Sequence, residues 1–402
     1  MTPRAVLVAA HGTAGQLLPD TRTARGEGDP PVATPVRSEV GTPSAAPPGG
    51  DADRPPAPRR LPVPALVCGL LLALLCSVPA AVGLGAAGLS FGEALGLLRA
   101  GLTGGVVAAE DVSAYTIVWE LRLPRALLAA VVGAGLAAVG VALQAMVRNA
   151  LADPFVLGIS SGAAVGANAV LIFGAFGMLG VWALSGAAFV SALGAMALVY
   201  VVARSAQGMT PLRLVLTGTA MYYGFSSITT LMVFAAERGE AARSAMMWLM
   251  GSLGGATWQS VPIAAGAVCA GLAYLALSAR RLNALAMGDE TAAALGVGAE
   301  RFRRELFLMT ALVTGALVAV SGTIGFVGLM VPHATRMLVG ADHRRLLAVA
   351  PPAGALLLVW VDVASRTVLA PVELPVGVLT AVIGVPSFLL LMRRRGYTFG
   401  AA

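Results

Sequence analysis

From Leu61 to about residue 395 the chain is a succession of apolar runs separated by short polar segments. A helix rises 1.5 Å per residue, so about 20 apolar residues match the ~30 Å hydrocarbon core of a bilayer. Ten runs fit this description, at about 62–86, 126–146, 160–179, 182–203, 212–235, 259–278, 306–322, 326–338, 346–366 and 376–392. The eighth is short for a full crossing. Composition agrees with a chain solvated by lipid: 57% of residues are hydrophobic and 12% charged, against roughly a quarter charged in soluble domains. A soluble fold of this length could not give so much apolar surface its polar cover. The 49 glycines let helices approach closely where lipid supplies no hydrophobic drive between them. The expected fold class is an all-α polytopic membrane protein of about ten transmembrane helices.

The basic residues test this layout. All 27 are arginine, and the net charge is +7. With the N-terminus inside, Arg148, Arg204, Arg280, Arg281, Arg301, Arg303, Arg304, Arg336, Arg344, Arg345 and Arg393 to Arg395 fall in inner segments. Fewer fall outside: Arg99, Arg122, Arg125, Arg238, Arg243 and Arg366. An inner excess is what membrane topology demands, and an odd number of spans would break it. The positive charge is therefore topological and not a nucleic-acid footprint. Of the two long outer segments, 236–258, with Met246, Trp248 and Trp258, reads as a short amphipathic helix at the interface.

Several functions are excluded. A phosphate-binding P-loop needs lysine, and this chain has none. Any ATPase must be a separate subunit. Cys68, Cys76 and Cys269 lie in apolar runs without paired spacing, and His11, His333 and His343 are scattered. No metal site, cofactor or catalytic constellation is expected. Within the runs, Asp362 is a rare carboxylate and Glu373 lies beyond the outer end of its helix. Proton-coupled transporters keep titratable groups inside their spans, so proton coupling is disfavoured.

Residues 1–60 are rich in Pro, Gly, Ala and Thr without apolar periodicity. They read as a disordered cytoplasmic tail, or as sequence upstream of the true start. Residues 61–396 form the membrane domain, with the basic inner loop 282–300 within it.

Four ordered segments carry a resemblance. The first runs Arg122-Leu123-Pro124-Arg125, Gly133-Ala134-Gly135, Arg148 to Pro154, then Leu157 to Gly162. The second is Leu214-Val215-Leu216-Thr217-Gly218 and the third Gly288-Asp289-Glu290-Thr291-Ala292-Ala293-Ala294-Leu295-Gly296. The fourth is Ser321 to His333, with Arg336, Arg366 and Glu373 to Thr380 following. Together they resemble the FecCD permeases, the membrane subunits of type II ABC importers for ferric siderophores, haem and vitamin B12, over roughly 62–395.

The resemblance implies a vitamin-B12-importer-like permease fold in the cytoplasmic membrane of a bacterium, with both termini inside. It implies a homodimer or a heterodimer with a sister permease, two ATP-binding subunits inside and an extracytoplasmic substrate-binding protein. Iron(III)-siderophore is the expected cargo, with haem or cobalamin as the alternative.

The resemblance also assigns residues. Gly288, Asp289, Glu290, Ala294, Leu295 and Gly296 become an ATPase-coupling helix, for which Asp289 suits an N-cap and Glu290 a first-turn charge. Arg122, Arg125 and Arg366 become docking groups for carboxylates of the binding protein, because the guanidinium fork matches a carboxylate. Anchoring to lipid headgroups is the other reading of these arginines. Gly322, Gly325 and Gly328 either line the translocation path or only make a tight helix hairpin. Met221 and Tyr222 face the path or else lipid. Gly133, Gly135 and Gly140 read as close helix packing.

Overall fold

The computed structural model describes residues 62–85, 89–204 and 210–393. The expected N-terminal tail, and Arg394 and Arg395, lie outside them. Fifteen α-helices and no strand occur among the described residues. Each of the ten apolar runs is helical: α1 (Val63–Gly83), α4 (Leu123–Val147), α5 (Ile159–Phe173), α6 (Ala183–Ala203), α7 (Pro211–Phe234), α9 (Ser260–Leu277), α12 (Ala299–Ser321), α13 (Val327–Val339), α14 (His343–Thr367) and α15 (Val376–Arg393). Five short helices stand between them: α2 (Phe91–Thr103), α3 (Val112–Thr116), α8 (Gly239–Leu249), α10 (Ala279–Ala286) and α11 (Asp289–Ala294).

Length and apolarity qualify six continuous stretches to cross a membrane: Val63–Gly83, Ala109–Val147, Gly177–Ala203, Ser260–Leu277, Ala299–Ser321 and His343–Thr367. The others fall short for local reasons. Left-handed Gly174 caps α5 after 15 residues. α7 has 24 residues but carries Arg213, four threonines and two serines. α13 has 13 residues and an internal Pro332. α12, by contrast, starts two turns earlier than hydropathy suggests, because Glu300, Arg301 and Arg304 are helix formers on a solvated face.

α4 is the central post. It is buried along nearly its whole length and is built mostly of Ala, Gly, Val and Leu. Its Gly133 meets Gly354 of α14, where a methyl on either glycine would overlap the other's carbonyl oxygen. Gly140 meets the carbonyl of Gly328 on α13 in the same way. These crossings bring backbones to a separation that no larger side chain allows. α1, α7 and α15 keep largely exposed apolar faces, including Leu72, Leu216, Phe234 and Val382.

The expected short helix within 236–258 is present. α8 is the short helix between α7 and α9, and the Trp258 indole donates to the Trp119 carbonyl at 3.0 Å. The two rings sit 5.4 Å apart.

Candidate functional site

Three places hold the residues singled out by sequence. The first is at the N-terminal end of α4. A π-helical turn, Ile117–Arg122, runs directly into α4 and carries Arg122 beside Arg125. All three expected docking arginines are buried, at 6%, 9% and 6% exposure for Arg122, Arg125 and Arg366. Arg125 donates to Asp362 at 2.8 Å and to both oxygens of Glu373 at 3.0 and 2.9 Å. Arg366 donates to the other oxygen of Asp362 at 3.1 Å and to the carbonyls of Leu84 and Ala81. Arg122 donates to the Val82 carbonyl at 3.0 Å. Sequence reading left these forks pointing outward. The structure turns them inward, because unpaired buried guanidinium groups are costly and the end of α1 offers free carbonyls. Three arginines still face two carboxylates, and only Glu373 is half exposed. The cluster keeps one positive charge in excess, with Arg122 lacking a carboxylate partner among the described residues.

The second place is at mid-height of the bundle. After α4, a left-handed Arg148 and a 3-10 turn, Pro154–Leu157, bring the chain back against α7, where Gly158 packs on the Gly218 carbonyl and Met221. The Asp153 carboxylate accepts from the Phe155 N–H at 2.9 Å and caps this turn. A cavity of about 350 Å³ lies beside it, lined by Asp153, Phe155, Thr219, Tyr222, Tyr223, Gly325, Phe326 and Leu329. The expected path residues divide here. Gly325 and Tyr222 line the cavity, and Met221 packs behind it against Gly158.

Gly322 and Gly328 do other work. Gly322 is left-handed and lies on the Trp248 carbonyl. The strand-like joins Ser252 N–H to Ser321 C=O, and Gly377 N–H to Met250 C=O, tie its turn to two other connections. The Thr323 hydroxyl adds a bond to the Leu249 carbonyl. Gly328 packs against Pro154 and the Leu136 carbonyl. Non-helical backbone at this depth is thus satisfied by other backbone, as a bilayer requires.

The third place is at the C-terminal end of α4. α11 is capped by Gly288, whose φ of +119° excludes most other residues. The expected N-cap, Asp289, is instead the first helical residue. Its carboxylate accepts from buried Arg303 on α12 at 2.7 Å, a stronger partner than a backbone amide. Glu290 lies in the first turn as expected. Ala292 is fully buried, while Glu290, Ala294, Leu295 and Gly296 are exposed, and Met287 and Leu295 present large apolar groups. The frame behind is rigid. Asn283 on α10 donates to Asp342 at 2.8 Å and accepts from the His343 N–H at 2.9 Å, joining α10 to α14.

A multi-helix membrane protein results, with a charged cluster at one end, a cavity at mid-height and an exposed helical shelf at the other end. The FecCD transport family model matches residues 70–394, and the chain belongs to that family. It is 44% identical to the cobalamin import system permease BtuC of Halobacterium salinarum over 70% of this chain and 75% of that one. It is 41% identical to the hemin transport permease HmuU of Yersinia pestis, over 69% and 84%. The iron(3+)-hydroxamate import permease FhuB of Bacillus subtilis is 39% identical, over 70% and 72%. A solved structure described as an inward-facing metal-chelate type ABC transporter superposes with a TM-score of 0.71 at 32% identity, covering 82% of this chain and 99% of that one.

Proposed function

We propose that this chain is the membrane permease subunit of an ABC importer for a metal chelate, with an iron(III)-siderophore as cargo. The observation that carries the reading is the family match across 70–394. The geometry supports it. A cavity of about 350 Å³ open on one side is small for a whole chelate, so two copies facing each other, or one copy and a sister permease, form the path between them. The exposed apolar side of α11 suits a groove on an ATP-binding subunit, and the Asp289–Arg303 pair passes its motion to α12. The one positive charge that the arginine cluster keeps in excess favours an acidic surface of an extracytoplasmic binding protein above its half-exposed edge at Glu373, through its field and not by contact with the buried Arg122. Ten crossings, with both termini inside, complete the proposal.

Cobalamin or haem is the second reading of the cargo. It is favoured by the 44% and 41% identities to permeases for those ligands. A secondary transporter without an ATPase is disfavoured. The carboxylate Asp362, within α14, is locked in ion pairs with Arg125 and Arg366 and serves as their shared counter-charge.

Uptake of labelled ferric siderophores, haem and cobalamin in cells with and without the gene tests the cargo. Loss of siderophore entry alone is expected. Loss of cobalamin or haem entry with unchanged iron uptake replaces the cargo and keeps the importer. Failure of an ATP-binding subunit to co-purify in either case overturns the importer reading.

A further inference from the structure

α6, α9 and α12 leave an apolar groove of about 690 Å³ between them. Phe189 from α6, Ile263 from α9, and Leu308 and Leu312 from α12 line it. The last three are exposed. Along α12 the lining runs from Glu305 to Val320, about 22 Å at 1.5 Å per residue and longer than the ~15 Å of one leaflet. One turn before Glu305 lies a polar pocket of about 190 Å³. There Tyr200 and Arg204, at the end of α6, face Glu300, Arg301 and Arg304 on the first turns of α12.

The two cavities share one helical stripe. Arg301 of the pocket and Glu305 of the groove pair at 3.2 Å, four residues apart. Arg281 engages the same carboxylate at 3.2 Å. Arg204 and Arg304 are exposed and have no carboxylate partner among the described residues. Arg204, Arg281, Arg301 and Arg304 set against Glu300 and Glu305 leave an excess of 4 − 2 = +2. The N-terminus of α12 adds its partial positive charge to the same place.

We propose that this composite cavity is a binding site for an anionic diacyl phospholipid, its chains along Leu308 and Leu312 and its phosphate between Arg204 and Arg304. Guanidinium forks match phosphate oxygens at two points. Basic pockets between membrane helices are where anionic headgroups are held. The apolar groove selects a lipid over a soluble anion, which would leave that groove uncovered. Its scarcity of hydrogen-bonding groups, with Trp182, Ser185, Tyr274 and Glu305 as the side chains that carry them, likewise selects acyl chains over a peptide.

Native mass spectrometry of the purified full chain tests the site, with phosphatidylglycerol and phosphatidylcholine of equal chain length as probes. Wild type is expected to retain phosphatidylglycerol preferentially. Arg204→Gln and Arg304→Gln are each expected to weaken that preference roughly fivefold, lowering phosphatidylglycerol retention more than that of phosphatidylcholine, whose choline cation offsets its phosphate. Leu308→Trp, which fills the groove, is expected to lower retention of both lipids. Millimolar glycerol phosphate is expected not to displace the lipid. Equal retention of the two lipids, an unchanged preference in the double glutamine variant, or displacement by glycerol phosphate each overturns the proposal.

Discussion

Asp362 is the residue on which the arginine cluster depends. It is 1% exposed and holds Arg125 and Arg366 from opposite oxygens. Its loss leaves two buried guanidinium groups without their shared counter-charge, an arrangement that costs about 3–5 kcal/mol. Glu373 holds only Arg125 and is half exposed, so water can replace it, and pairs of that kind contribute about 0–1 kcal/mol. Asp362→Ala is therefore expected to lower unfolding stability in detergent several-fold more than Glu373→Ala. Equal losses would show that the cluster is not an internal clamp. The arginines were legible in the sequence as a group. Their burial was not, because the partners lie 237 and 248 residues away and no local pattern pairs them. Asp362 could be read only as a lone carboxylate in an apolar run. Arg303 was hidden behind Asp289 for a different reason: it stands on α12, past the expected loop 282–300, and the two meet only when α11 folds back on that helix.

Helix crossings set the next scale. Gly133 and Gly354 each fill the space that a Cβ on the other would need, so α4 and α14 cannot part by a methyl without shifting. Gly133→Ala and Gly354→Ala are each expected to cost about 1–3 kcal/mol, the range for overpacking a filled contact. Gly69→Ala inside α1 meets nothing within 4 Å and serves as the control, expected to be neutral to mildly stabilising by helix propensity. Thermal melts in detergent separate these outcomes, and a neutral Gly133→Ala would mean that the crossing adjusts. Packing glycines were legible from their setting in an apolar run, but their opposite numbers were not. α2 carries a sequence signal of its own. Ser90 and Glu93 form a reciprocal capping box at 3.3 and 2.9 Å, a spacing visible in the sequence before an amphipathic segment.

The joint between α10 and α14 has a pH signature at the same scale. Burial works against the Asp342 charge, but Asn283, the Arg344 amide, Arg345 and His343 outweigh it and hold the carboxyl below its ordinary 3.8. For a depressed carboxylate the stabilisation is complete above the ordinary value and fades as pH falls through the lower folded value. The acid limb of a pH-stability profile is expected to flatten in Asp342→Asn. An unchanged limb would remove Asp342 as its source.

For the whole molecule the open quantity is the number of crossings, and hydropathy cannot count it. α13 is too short to qualify by length, yet it lies between α12 and α14, which do. Geometry gives a sharper answer. Arg125 at the start of α4 holds Glu373, whereas Arg148 at its end lies against Gly288. The 25 residues of α4 span about 37 Å, so Val372 and Leu295 stand at opposite ends of a post longer than the hydrocarbon core. Three crossings are then expected between them, with α13 completing its own by contact with α4 rather than with lipid. Single cysteines at these exposed positions, Val372→Cys and Leu295→Cys, test this in a background where Cys68, Cys76 and Cys269 are serine. An impermeant maleimide is expected to label the first on intact cells and the second only after permeabilisation. Labelling of both from one side would mean two crossings, leave α13 as a re-entrant hairpin, and reduce the total below ten.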